Sequence, residues 1–227
     1  MRNMTKILAG TAIALAMSAA SAQAAVFIAF DTGGGPVQVF TDADGAFFYN
    51  TTNVGGFENV AILGDTGAFP ALLHTQQVNV NSSGTGGASL TVYVTHTDIS
   101  GPMPEFGYIS SFTSNTSRAG FSSTLTTLAD AANGVYSGVV LSSASFSGAG
   151  AESMNNVFAG PLAPSAGLYS VTHKYVITDT GLTRGSTSPT VTLQAAVPEP
   201  GTWGLMIMGF GGAGAMLRAR RRSAVAA

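Results

Sequence analysis

Three Asp-Thr-Gly triplets, beginning at Asp31, Asp65 and Asp179, each set a carboxylate on a flexible turn. Two such loops brought face to face would let a pair of carboxylates share one proton, the chemistry of acid proteolysis. No duplicated lobe surrounds these triplets, and Asp and Gly are favoured turn residues, so turn formation accounts for all three. Asp42-Ala43-Asp44-Gly45 places two oxygen ligands at alternate positions beside a glycine, a partial calcium loop. No Glu stands at the twelfth loop position, so a hairpin turn is the plainer reading, with Asp42 and Asp44 a weak calcium candidate. His74, His96 and His173 lack the short spacing of zinc ligands, and there is no cysteine to join them. Gly209, Gly211 and Gly214 fit G-x-G-x-x-G, but only 13 residues follow. A dinucleotide unit needs a helix, a further strand and an acidic residue beyond that point. The many serines include no G-x-S-x-G elbow. These residues therefore predict no enzyme, no cofactor and no metal centre.

The elements that would carry these residues read as short strands. Over residues 88–97, Leu90, Val92 and Val94 share one face with His96, while Thr91, Tyr93 and Thr95 share the other. Farther on, Tyr169, Val171, His173, Tyr175 and Ile177 oppose Ser170, Thr172 and Lys174. A turn over 179–188 then leads to Val191 and Leu193, which predicts a terminal hairpin. Further strands are expected over 26–30, 37–40, 46–49, 60–63, 78–80, 106–112 and 135–141. Phe121, Leu125, Leu128 and Ala132 satisfy a helical spacing that ends at Asn133-Gly134, which leaves helix and strand both open there. The expected fold is all-β, a sandwich-like body of about ten short strands.

Only 9% of the residues are charged, against a usual ~25%. Six of the nine Lys and Arg lie in the two ends, so residues 25–197 set Arg118, Lys174 and Arg184 against ten carboxylates. A body with that balance repels phosphate backbones, which excludes nucleic acid as a partner. The sequons at Asn50, Asn81 and Asn115 are weak signals. Phe47, Phe48 and Tyr49 form an aromatic run that would stack on sugar rings if exposed, or pack the core if not.

The ends read as targeting segments. Arg2 and Lys6 precede an apolar run over 7–20, and Ala22-Gln23-Ala24 offers small residues at Ala22 and Ala24, the positions read by signal peptidase. Cleavage after Ala24 is expected. At the other end Pro198-Glu199-Pro200 is expected to hold the backbone extended and present Glu199 outside the bilayer. Trp203 suits the membrane interface, and the apolar stretch 203–217 would form a short transmembrane helix of about 22 Å. Arg218, Arg220, Arg221 and Arg222 follow as a cytoplasmic stop, which puts the body outside.

Pro198-Glu199-Pro200, then Trp203, a Gly-rich apolar helix and a terminal Arg cluster resemble the PEP-CTERM sorting signal, in its PEPxxWA form. Gly204 stands where that form commonly has Ala. The resemblance covers about 26 residues and implies an exosortase-like membrane protease as processing partner, in the envelope or exopolysaccharide matrix of a Gram-negative bacterium. The chain thus divides into a signal peptide (1–24), a β-rich extracellular body (25–197), a sorting tail (198–222) and a cytoplasmic end (223–227). The expected course is a transient inner-membrane anchor, then the cell surface or biofilm matrix, with a structural or adhesive body. A carbohydrate-binding sandwich with glycan partners and a secreted hydrolase are the alternatives.

Overall fold

A computed structural model describes residues 24–43, 45–67, 71–100, 107–158, 167–196 and 200–225. The strands in chain order are β1 (Ala25–Asp31), β2 (Val37–Ala43), β3 (Ala46–Val54), β4 (Phe57–Asp65), β5 (Ala71–Ser82), β6 (Ala88–Ser100) and β7 (Tyr108–Thr116). They continue with β8 (Phe121–Asp130), β9 (Val139–Phe146), β10 (Gly150–Phe158), β11 (Leu168–Asp179), β12 (Gly185–Thr187) and β13 (Thr190–Ala195). One helix, α1 (Pro200–Val225), closes the chain.

The strands form two antiparallel sheets. The first has the order β2-β1-β6-β11-β8-β9, and the second runs β10-β7-β12-β5-β4-β3 with β13 also between β5 and β7. Strands β12 and β13 fill one lane, interrupted at Ser188-Pro189. Pro189 has no N–H for a ladder, yet its carbonyl still accepts from the Val78 amide at 3.0 Å. The all-β sandwich expected from the sequence is the fold.

Between the sheets, Val26, Ile28, Leu90, Val92, Val94, Leu125, Tyr175 and Ile177 from the first meet Phe57, Val60, Ile62, Leu73, Phe112, Val191 and Leu193 from the second. Each of these is buried, and burial of such side chains is the main force that holds the layers together. The interior also contains hydroxyls. Ser110 Oγ and Thr127 Oγ1 lie 2.7 Å apart, Thr116 Oγ1 and Thr187 Oγ1 lie 3.0 Å apart, and all four residues are buried.

One open reading is settled and two expectations need correction. The segment that left helix and strand open is the strand β8, with Phe121, Ser123, Leu125, Thr127 and Ala129 facing inward. Its alternation is disguised because two inward positions carry hydroxyls, whose partners come from the opposite sheet. The terminal hairpin does not form, since β11 belongs to the first sheet and β13 to the second. The chain crosses between layers there rather than folding back. Residues 135–138 are a turn, and the strand begins only at Val139.

Candidate functional site

The residues singled out in the body do not converge on one site. Asp31 Oδ1 accepts from the amides of Gly33 and Gly35 at 2.7 and 3.0 Å, which closes the β1–β2 turn. Asp65 Oδ2 lies 3.8 Å from His74 Nδ1 in the second sheet. Asp179 is fully buried and takes a bidentate pair from Arg118, at 3.0 Å from Nη1 and 2.7 Å from Nη2. Burial alone would raise its pKa. Hydrogen bonds from Arg118, Ser82 and the Gly181 amide, with the Arg118 charge, outweigh that and hold it below the ordinary carboxylate range.

His173 Nδ1 is 2.9 Å from Thr75 Oγ1 in the core, and His96 Nδ1 is 2.9 Å from the Leu72 carbonyl oxygen. Burial, aided by the proximity of His74, lowers the His173 pKa to about 3, so this ring is neutral. Asp42 is exposed on β2 and accepts from the Ala43 amide, while Asp44 lies outside the described residues. The segment after it joins the two sheets and is not a hairpin turn. Among the described residues no group of three or more His, Asp and Glu could hold a metal. The aromatic run also splits. Phe47 is core, Tyr49 packs against Phe30 and Phe40, and only Phe48 is exposed, at 62%.

Two surface features were not singled out from the sequence. One is a shallow hollow of about 400 Å³ beside β12, lined by Glu58, Asn59, Asn81, Ser82, Arg184, Gly185 and Ser186. It offers amides and hydroxyls, with Arg184 Nη2 donating to Glu58 Oε1 at 3.0 Å across its rim. The other is the outer face of the first sheet. There the register aligns Gln38, Ala29, Tyr93, Lys174, Thr126 and Ser143 in one row across all six strands. No periodicity in one strand reveals such a row, because it is made by pairing.

The tail is built differently. Strand β13 ends at Ala195 and α1 begins at Pro200, so a short linker that holds Pro198 and Glu199, both outside the described residues, separates sandwich from helix. Pro200 does not extend the linker as expected. It opens the helix, a position that tolerates proline because the first-turn amides have no intrahelical acceptor. Trp203 lies within α1, as do Arg218, Arg220, Arg221 and Arg222. Leu205, Ile207, Met208 and Phe210 are 69%, 70%, 69% and 76% exposed. No helix among the described residues is long and apolar enough to cross a membrane. The apolar stretch is short, and glycines at 204, 209, 211, 212 and 214 dilute it. The model of the PEP-CTERM protein-sorting motif matches residues 196–222.

This chain carries a PEP-CTERM sorting tail. The tail makes it an exported protein handled by an exosortase. No curated protein matches the chain in sequence. Among solved structures, the N-terminal cellulose-binding domain from Cellulomonas fimi beta-1,4-glucanase C is similar at 16% identity and a TM-score of 0.35, over 66% of this chain and 90% of that one. The Stig cyclase Fisc from Fischerella sp. TAU is similar at 14% and 0.34, over 76% and 86%. TmCBM61 in complex with beta-1,4-galactotriose is similar at 9% and 0.33, over 67% and 91%. Of the signal-peptide positions, Ala22 lies outside the described residues and Ala24 stands one residue before β1. The matched motif begins at residue 196, just after β13 ends at Ala195, so it contains no strand of the sandwich.

Proposed function

We propose that this is a non-enzymatic protein of the cell surface or extracellular matrix, whose β-sandwich acts there as a structural or adhesive body once its PEP-CTERM tail has been processed. The observation that carries the proposal is the matched motif on a helix whose apolar side chains are exposed. Such a surface in water is unfavourable by about 25 cal/mol per Å², so the helix belongs in an apolar phase before processing. In this reading Arg218, Arg220, Arg221 and Arg222 stay cytoplasmic and hold the helix in the inner membrane. Pro198, Glu199, Pro200 and Trp203 form the segment that the exosortase-like protease recognises. Signal peptidase acts earlier, after Ala24, and removes nothing that the described sheets use.

The test is made in an exosortase-bearing host. Replacement of Pro198, Glu199 and Pro200 by alanine should leave export intact yet keep the protein in the inner membrane, with a C-terminal peptide that includes Arg222. The unaltered chain should lose that peptide and appear in surface or matrix fractions. Mass spectrometry of the fractions reads both outcomes. Full-length protein in the matrix at equal abundance for both chains would refute the sorting role.

A further inference from the structure

The outer face of the first sheet carries a strained, built surface. Four residues other than glycine have positive φ among those described, and three of them meet here: Asp98 at 55°, Asn133 at 59° and Tyr136 at 58°. A bulky aromatic residue in that region is a real outlier, and such strain persists only where its surroundings enforce it. The enforcement is visible. Asn133 Oδ1 accepts from the Asp98 amide at 2.8 Å and its Nδ2 donates to Asp98 Oδ1 at 2.9 Å. The Tyr136 amide donates to Thr95 Oγ1 at 3.2 Å, and its hydroxyl reaches Gln38 Oε1 at 3.5 Å. These contacts lay the turn 131–138 over the sheet and stand the Tyr136 ring 5.7 Å from that of Tyr93.

Lys174 completes the surface. Its Nζ lies 5.5 Å from the centre of the Tyr93 ring. Of the three cations in the body, Arg118 is committed to Asp179 and Arg184 to Glu58, whereas Lys174 has no carboxylate partner among the described residues. The carboxylates that border this face are already engaged: Asp31 by Gly33 and Gly35, Asp98 by Asn133, Asp130 by Ala132 and Ser137. On the same face Thr126 pairs with Ser143, Thr124 with Ser145 and Ser122 with Thr178 as exposed hydroxyls, whereas the Thr95–Thr172 pair is buried.

We propose that this face, centred on Lys174 and Tyr136 with Tyr93 behind them, binds a saccharide that carries a carboxylate. An aromatic ring offers a flat apolar surface to the C–H face of a sugar, exposed hydroxyls exchange hydrogen bonds with its own hydroxyls, and the Lys174 ammonium takes the acid group. A dense polyanion does not fit, because ten carboxylates on the body repel it. One acidic sugar among neutral ones does. The inference rests on the adhesive reading of the body, but its test is made in solution and does not depend on sorting.

The full chain, purified in nonionic detergent, is titrated by calorimetry with tetrasaccharides of three neutral sugars and one terminal uronate, and with their carboxyl-reduced counterparts. At least one uronate-bearing member should bind, with its reduced counterpart about tenfold weaker or more, since a charge-assisted hydrogen bond is lost. Lys174→Gln should abolish that preference. Tyr136→Gly, which accepts the positive φ without strain and so keeps the fold, should weaken both forms. Arg184→Gln, a change of the same charge elsewhere on the surface, should alter affinity by less than twofold. Binding of none of the uronates, equal binding of acidic and reduced sugars, or an acidic preference that survives Lys174→Gln would each overturn the proposal.

Discussion

Replacement of Arg118 by alanine should be among the most damaging single changes to the body. The guanidinium is 15% exposed and its partner Asp179 is fully buried. It also sits 4.7 Å over the Phe121 ring. Removing one member of a buried pair costs about 3–5 kcal/mol, because the other charge is left without compensation. For a fold of this size each kcal/mol lowers the melting temperature by about 2–4 °C, so a loss of roughly 6–20 °C is expected at pH 7. The pH dependence gives a second check. In the native chain the Asp179 pKa is depressed, so the stability it contributes is present above the unfolded value of about 4 and is lost as pH falls through the lower folded value. Without Arg118 the burial that remains raises that pKa, so the variant's deficit should shrink as the pH approaches 4 and the acid becomes neutral. A third check uses the cradle. A Cβ at Gly181 would overlap the Arg118 guanidinium, and one at Gly185 would stand 2.5 Å from its Nε, so Gly181→Ala should reproduce the loss in part. Circular dichroism melts of the full chain and its variants at pH 7 and pH 4.5 read all of this. An Arg118→Ala midpoint within 2 °C of the parent at both pH values would refute the reasoning.

Two further outcomes follow from the polar interior. The lowered pKa of His173 means that the unfolded chain binds a proton below about pH 6.5 that the folded chain refuses until about pH 3. Stability should therefore decline across that window, and His173→Gln should flatten the slope in urea titrations at pH 4 to 7. Thr127→Val should cost about 1–3 kcal/mol by leaving the buried Ser110 hydroxyl without its partner, while the pair Ser110→Ala with Thr127→Val should recover most of the loss in the same titration.

How far the sequence reaches depends on where its signals lie. The strand β6 and the strand β11 were legible because one face is apolar and the other polar, and alternation writes itself into the chain. The strand β10 was not, since it is an edge strand with nearly every residue exposed, so no burial imposes a period on it. The tail was legible for a different reason: a sorting motif is read as a linear segment by other proteins, and its residues need no tertiary partner to be recognised. The body had no such segment. Its surface at Tyr93, Tyr136 and Lys174 joins positions far apart in the chain, brought into one row by strand pairing and by a turn held at positive φ. Periodicity within a strand determines which face a residue takes. Only the register between strands decides which residues share that face, because pairing is set by contacts that a single strand does not contain.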